Sequence, residues 1–296
     1  MTGIICIDKK KDITSFGVCA KVRGITGEKK CGHTGTLDPM AQGVLPVMLG
    51  GATRFLDFLP ESDKGYRASF VLGKTTDTLD ITGKITAEYK VNASEADVLK
   101  TLEAFRGKIK QIPPMYSAVS VNGKRLYALA RQGIEIERNA REAEIKKLEL
   151  ISADGNSYVI DVFCSKGTYI RTLIDDIGRT LGCGAVMTSL IRTSAMGFSL
   201  DDCITLEELQ KRKDNHIGFE DIVIPVDQAL DVYGRIEVSS AQSIRFKNGG
   251  ALDRGRIRKN LEDSGIYRIY SPDRDFLGLG QAEKDELTVK KVFIDK

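Results

Sequence analysis

The segment Cys31–Arg54, CGHTGTLDPMAQGVLPVMLGGATR, places five glycines (Gly32, Gly35, Gly43, Gly50 and Gly51) around a single acidic residue, Asp38. Pro39 follows it, removes a backbone donor and biases Asp38 towards extended backbone. The segment therefore predicts a carboxylate held at a sharply defined bend. Two readings stand side by side. Asp38 caps a helix that begins at Pro39, a first helical position that suits proline. Alternatively it is a nucleophile, for which the ionised carboxylate is the working form. A helix N-terminus would serve both, because its dipole favours negative charge.

Outward from this segment, helical and strand signals interleave. Tyr66, Ala68, Phe70 and Leu72 alternate and predict one face of a strand. Ser94 and Asp97 predict the start of a helix over 94–107, with a stripe of Val98, Leu99, Leu102 and Phe105 and a stop at Gly107. Asn122-Gly123 predicts a tight hairpin, followed by a short helix ending at Gly133. Residues 144–164 predict two strands around Asp154-Gly155-Asn156, with Tyr158, Ile160, Val162 and Cys164 sharing a face. Thr168 predicts the cap of a helix striped by Ile170, Leu173, Ile174, Ile177 and Leu181. Thr205 and Glu208 form a capping box for one more helix. The pattern is α+β over residues 1–230.

The character changes after about residue 230. The runs RIEVSS, GRIRKN, IYRIYS and LTVKKVFI are short and β-like, separated by Gly249-Gly250, Asp263-Ser264-Gly265 and Pro272-Asp273. They predict a small all-β module over residues 231–296, near the lower size limit for independent folding. Arg254, Arg256 and Arg258 alternate. On a strand they would share one face, either simply solvated or turned towards phosphates.

The chain has 296 residues, 42% of them apolar, and a net charge of +3. That charge neither demands nor excludes a nucleic acid, since a basic face can form within a nearly neutral chain. Six cysteines occur without a C-x-x-C pair, and the two histidines lie far apart, so no zinc site is expected and the thiols read as reduced and mostly buried. The apolar run Ile4–Ile7 is too short for a signal peptide, and nothing approaches a membrane span, which leaves a cytoplasmic protein as the expectation.

Two further segments offer chemistry. In SKGTYIRTLIDDIG, residues 165–178, Tyr169 and Arg171 stand at the start of the striped helix, where the mouth of a pocket is expected. An arginine can hold a carboxylate in one orientation, but Asp175 and Asp176 in the same helix compete with any remote partner. Tyr66, beside Lys64 and Arg67, suits stacking on a nucleobase if exposed, or ordinary packing if not.

Together these segments resemble the TruB family of tRNA pseudouridine synthases. The resemblance rests on GHTGTLDPMAQGVLPVMLGGATR, then SDKGYRASFVLG, IPPMYSAVSVNGKRLYALARQG, SKGTYIRTLIDDIG and LIRTSAMGF, in that order over nearly the whole chain. It implies a pseudouridine synthase fold, a mixed and largely antiparallel sheet flanked by helices, followed by a PUA-like RNA-binding domain. It implies Asp38 as the catalytic aspartate, Arg171 as its arginine partner and Tyr169 as the tyrosine that moves a proton at the base. Tyr66 would stack on the flipped uracil, His33 would contact the rearranged RNA loop, and Leu190 would line the pocket. Arg254, Arg256 and Arg258 would then meet phosphates. Lys10 and Asp12 stand where the family usually has Pro and Gly, and Ser120 where a lysine is common. Asp12 tolerates a left-handed turn better than most residues.

The implied reaction converts uridine 55 in the T-loop of tRNA to pseudouridine. It needs no metal, redox cofactor or activated donor. The implied partner is the T-arm stem-loop, with no membrane or protein partner, and a monomer is the expectation. A zinc-dependent base deaminase would require H-x-E and P-C-x-x-C, which are absent. The rival from another class is a non-catalytic RNA-binding protein or tRNA folding chaperone, which would have no use for the Asp38, Tyr66, Tyr169 and Arg171 set.

Overall fold

A computed structural model of the chain describes residues 1–60, 63–121 and 123–294. The chain opens with β1 (Gly3–Lys9), α1 (Ser15–Thr26), β2 (Cys31–His33), β3 (Gln42–Leu49) and β4 (Lys64–Leu72). An excursion through β5 (Lys74–Thr76) and β6 (Ile85–Glu88) leads to α2 (Glu95–Ala104) and β7 (Gly107–Gln111). A second one holds β8 (Ser120–Val121), β9 (Lys124–Arg125) and α3 (Leu126–Ala130). The hairpin of β10 (Arg141–Asp154) and β11 (Ser157–Cys164) follows, then α4 (Ile170–Thr180), β12 (Ala185–Ala195), β13 (Phe198–Ser199) and α5 (Leu206–Asp214). The chain ends with β14 (Gly234–Glu237), α6 (Ser240–Lys247), β15 (Leu252–Asp253), β16 (Ile266–Tyr270), β17 (Phe276–Ala282) and β18 (Glu286–Val292).

The larger body is one sheet in the order β1-β3-β12-β4-β11-β10-β7, with β2 beside β3 and β13 beside β12. Its pairings are antiparallel except for the contact of β3 with β12. Period-two alternation explains how it is covered. Ile5 and Ile7 on β1, Leu45 and Val47 on β3, and Tyr66, Ala68, Phe70 and Leu72 on β4 share a core with the apolar faces of α1, α2, α4 and α5. The opposite face of β1 and β3 presents Ile4, Cys6 and Met48 to a second core, shared with Leu279 of the C-terminal sheet. Strands buried on both faces read as unbroken apolar runs, which explains GIICI and VLPVML.

The C-terminal strands form a five-stranded sheet in the order β14-β16-β17-β18-β15, around Ile236, Phe246, Ile269, Leu277 and Leu287. One short helix, α6, packs into that core through Phe246. Its capping box is Ser239 with Gln242, and the run RIEVSS crosses from strand into helix. The arginine run behaves differently from its strand-like spacing. Arg254–Arg256 is a 3-10 turn in which Asp253 accepts from Gly255 N, so the three arginines do not share a strand face.

Most of the smaller readings hold. The capping boxes at Ser94 and Thr205 are both formed. Leu99 departs from its expected stripe. The buried positions of α2 are Val98, Thr101 and Leu102, spaced as one helical face, and Leu99 is 44% exposed. Thr168 does not cap α4. Its hydroxyl donates to the Ser165 carbonyl at 2.9 Å, and Tyr169 is the cap residue. Of the expected Asn122-Gly123 turn, Asn122 lies outside the described residues. Gly123 has φ +77°, and β8 pairs with β9 around it. All six cysteines are free thiols, four of them buried. No helix among the described residues is long and apolar enough to cross a membrane.

Candidate active site

The loop from Thr34 to Ala41 has no regular structure of its own, and neighbouring side chains clamp it on both sides of Asp38. Ser15, in the first turn of α1, accepts from Leu37 N at 2.8 Å and donates to Leu37 O at 3.1 Å. Lys9 is fully buried at the end of β1, and its ammonium donates to the carbonyls of Pro39 (3.1 Å), Ala41 (2.5 Å) and Lys10 (3.0 Å). Burial lowers that ammonium to about 8, against the pull of Asp38 and Asp12. Asp12 N donates to Pro39 O at 2.9 Å, and Asp12 has the left-handed φ of +64° that its chemistry tolerates. Arg192 on β12 donates to Gly35 O at 3.2 Å and Val44 O at 2.7 Å.

No helix follows Pro39. Ala41 N closes a turn on Asp38 O at 3.1 Å, so Asp38 is not a helix cap. What faces its carboxylate is Arg171, whose Nη2 lies 2.9 Å from Asp38 Oδ2. Arg171 sits in the first turn of α4 and its side chain is 5% exposed, whereas that of Asp38 is 35% exposed to the cleft. The contact is a single point rather than a two-pronged fork. The rest of the guanidinium is spread over Tyr116 O (2.7 Å), Thr78 O (2.9 Å) and Asp80 Oδ2 (3.8 Å). Of the competing partners, Asp175 pairs with Arg179 at 2.8 Å within α4, and Asp176 forms no ion pair with Arg171 among the described residues.

Asp80 is 5% exposed and is itself held by Thr78 Oγ1 (2.8 Å), Thr82 Oγ1 (2.5 Å) and Thr82 N (3.0 Å). Arg171 is thus positioned by a second, buried carboxylate. Such a supporting shell fixes the geometry of the reacting group.

A cleft of about 230 Å³ opens above Asp38, lined also by Leu37, Lys64, Tyr66, Ser117, Tyr169 and Leu190. A larger recess of about 610 Å³ lies beside Cys6 and Cys203. Convergent polar groups rather than volume mark the smaller one as the site. Tyr66 is not the exposed ring that its neighbouring cations suggested. It is 8% exposed in the middle of the sheet, opposite Arg192 on β12 and Val162 on β11, and forms part of the cleft wall. Burial pushes its hydroxyl up, and the adjacent Arg192 counters this. Arg67 points elsewhere, to Asp161 at 2.7 Å.

Tyr169 is fixed through its backbone by Gln111 at the end of β7. The Gln111 amide accepts from Tyr169 N at 3.0 Å and donates to Tyr169 O at 3.2 Å, and Gln111 is 2% exposed. Ser117 also lines the cleft, with a buried hydroxyl that has no hydrogen-bond partner among the described residues. A buried polar group without a partner suits a polar atom of a ligand.

Asp38, Tyr66, Tyr169, Arg171 and Leu190 are therefore brought together. His33 is not. It lies on β2 opposite Val47, outside the cleft lining, and burial pushes its imidazole down. Arg254, Arg256 and Arg258 lie in the C-terminal body. Arg254 pairs with Asp263 and donates to Glu283 O, Arg256 lies 3.3 Å from Asp253, and Arg258 is exposed. Asp80, Gln111, Ser117 and Lys9 were missed in the sequence. Only the buried cleft reveals them, because no local spacing marks an isolated carboxylate, amide, hydroxyl or ammonium.

The chain is similar to known proteins over nearly its whole length. Residues 23–170 match the N-terminal domain of the TruB family pseudouridylate synthases. Residues 171–231 match the tRNA pseudouridylate synthase B C-terminal domain, and residues 234–293 the C-terminal model of pseudouridine synthase II TruB. The chain is 42% identical over 295 residues to the tRNA pseudouridine synthase B of Clostridium tetani, covering 99% of this chain and 100% of that one. It is 43% identical over 292 residues to its counterpart from Clostridium acetobutylicum, covering 99% of each. Among solved structures, a chain of a Cbf5-Nop10-Gar1 complex superimposes with a TM-score of 0.74 at 27% identity, over 99% of this chain and 85% of that one. On the family models, the full-length relatives and the shared architecture, this chain belongs to the TruB family of pseudouridine synthases and has their fold.

Proposed function

We propose that the chain converts the uridine at position 55, in the T-loop of tRNA, to pseudouridine, with the base turned out of its stack into the cleft and Asp38 as the nucleophile. The observation that carries this reading is the Asp38–Arg171 pair at the floor of a cleft walled by Tyr66, Tyr169 and Leu190. Binding alone has no use for a buried guanidinium holding a half-exposed carboxylate in one orientation.

The chemistry needed is modest. The bond from C1′ of the ribose to N1 of uracil breaks, and the freed base turns. C1′ then bonds to C5, C5 loses a proton and N1 gains one. Attack by Asp38 on C1′ of the sugar would hold the ribose as an ester while the freed uracil turns between the cleft walls, whereas attack on the ring would hold the base itself through the turn. Tyr66 supplies an aromatic surface for the uracil, Leu190 an apolar one, and Tyr169 a hydroxyl for the proton at C5. Ser117 offers its unpaired hydroxyl to a polar edge of the base. The exposed Arg258, more than the engaged Arg254 and Arg256, is left to meet phosphates of the T-arm. A cytoplasmic setting fits a tRNA substrate.

The test is base-resolved mapping of pseudouridine in unmodified tRNA after incubation with the purified chain. Conversion of the T-loop uridine alone is expected. Conversion confined to other positions, or none, would refute the assignment.

A further inference from the structure

The loop that carries Asp38 has two sides. Thr36, Leu37 and Asp38 line the active cleft, while Thr34 and Gly35 line a separate recess of about 290 Å³. Lys64 lines both, so the two spaces adjoin.

Lys64, Lys166 and Arg192 line the recess, and two of these cations, Arg192 and Lys64, face Gly35. Arg192 is 1% exposed, yet among the described residues no carboxylate pairs with it. Its guanidinium meets the carbonyls of Val44 and Gly35 and lies beside the Tyr66 hydroxyl. The half-buried Lys64 ammonium has neither a hydrogen-bond acceptor nor an ion-pair partner among the described residues. A methyl carbon built on Gly35 would touch both, Arg192 Nη1 at 3.5 Å and Lys64 Nζ at 3.6 Å. The two charges therefore sit side by side against the backbone of the catalytic loop. Among the described residues, the carboxylate that lines the recess is that of Asp57, which is exposed.

Two partly desolvated like charges repel each other and have lost hydration, and an anion between them offsets both costs. Burial, and then the Arg192 charge, hold the Lys64 ammonium below its ordinary value, as expected of such a pair without its anion. Gly35 and Asp38 are three residues apart, so at most about 10 Å of chain separates the recess from the nucleophile. That is the scale of one nucleotide.

We propose that Lys64 and Arg192 form a subsite for the phosphodiester group next to the nucleotide held in the cleft. The inference rests on the pseudouridine synthase reading and names the part of the RNA that the site grips. Arg192 presents planar donors and Lys64 a compact charge, and both match phosphate oxygens. A phosphate contact of this kind positions the turned-out nucleotide without reading sequence.

The test measures binding of a synthetic T-arm stem-loop to the full chain across a range of salt concentrations. Wild type and Lys64→Gln are compared on native RNA and on RNA with a neutral methylphosphonate at either phosphate flanking the uridine. At one of the two positions the neutral group is expected to weaken wild-type binding roughly tenfold and to flatten the salt slope by about one. Lys64→Gln should show the same loss with native RNA and little further loss with that methylphosphonate. Independent, additive losses, or Lys64→Gln binding with wild-type affinity and slope, would overturn the subsite. Should Lys64→Gln fail to fold, the wild type still decides, because no loss at either phosphate contradicts the proposal. Binding is read without turnover, so tight, phosphate-dependent binding without isomerisation would refute the activity and leave the subsite standing.

Discussion

Arg171 donates to Asp38, Tyr116 O and Thr78 O, and its charge lies 3.8 Å from Asp80. Lysine keeps the charge but offers one nitrogen, which cannot span those acceptors. Arg171→Lys is expected to lower the single-turnover rate on the order of a hundredfold, with much less effect on tRNA affinity. A wild-type rate would leave Arg171 as a packing residue. Lys9 acts on the same loop from the other side and gives a pH signature. Its folded value of about 8 lies below that of a lysine in the unfolded chain, so between the two values the unfolded chain binds more protons. Stability from this group therefore grows as pH rises through that window. The Tm advantage of wild type over Lys9→Met should widen between about pH 7 and about pH 9.5. A constant difference would show that Lys9 titrates as an ordinary lysine. Asp38, Tyr66, Tyr169, Arg171 and Leu190 were legible because each stands in a recognisable block of sequence. Even so, the residues around Asp38 taken alone favour a helix cap, whereas the chain past Pro39 turns rather than coils. Asp80 and Gln111 were not legible, because their roles exist only through contacts made far along the chain.

Elements were read best where a rule is local. The capping boxes at Ser94 and Thr205 and the alternating faces of β4 and β11 depend on residues a few positions apart, and they formed as expected. Thr168 failed as a cap because its hydroxyl turned back to Ser165 O, leaving Tyr169 at the cap position, clamped by Gln111. The turn at Arg254–Arg256 defeated a period-two reading in the same way, through Asp253 bonding to the backbone two residues on. One element-level contact deserves a direct test. Gly43 opens the first pairing of β3 with φ +100°, a conformation that favours glycine, and a Cβ there would collide with the carbonyl of Arg192 on β12. Gly43→Ala should combine about 1–3 kcal/mol of backbone strain with a separation of the two strands beneath the catalytic loop. Scanning calorimetry should show Tm lower by about 5 °C or more. An unchanged Tm would contradict the close approach.

At the scale of the whole molecule, the two sheets share a core. Phe55, fully buried, packs against Phe276 at 5.6 Å and Phe293 at 6.1 Å between ring centres, and the same cluster holds Ile4, Met48, Val226 and Leu230. Arg268 on β16 donates to Tyr233 O and Asp227 O, each at 2.9 Å, which ties the connecting segment to the small sheet. Short strands and turns made the C-terminal module visible in the sequence. Its aromatic contacts with the larger body were not visible, since nothing local tells which face of a strand meets another domain. Removing residues 231–296 uncovers apolar surface on β1 and β3, so the truncated chain is expected to melt lower and to aggregate on heating. An unchanged Tm for residues 1–230 would show the shared core to be dispensable. In the proposed function, Asp38 does the chemistry that the rest of the molecule prepares. The most direct measurement pairs pseudouridine formation with tRNA affinity in wild type and Asp38→Asn, an isosteric change to a very poor nucleophile. The expected result is no detectable pseudouridine at nearly wild-type affinity, whereas substantial turnover by Asp38→Asn would contradict the assignment of Asp38.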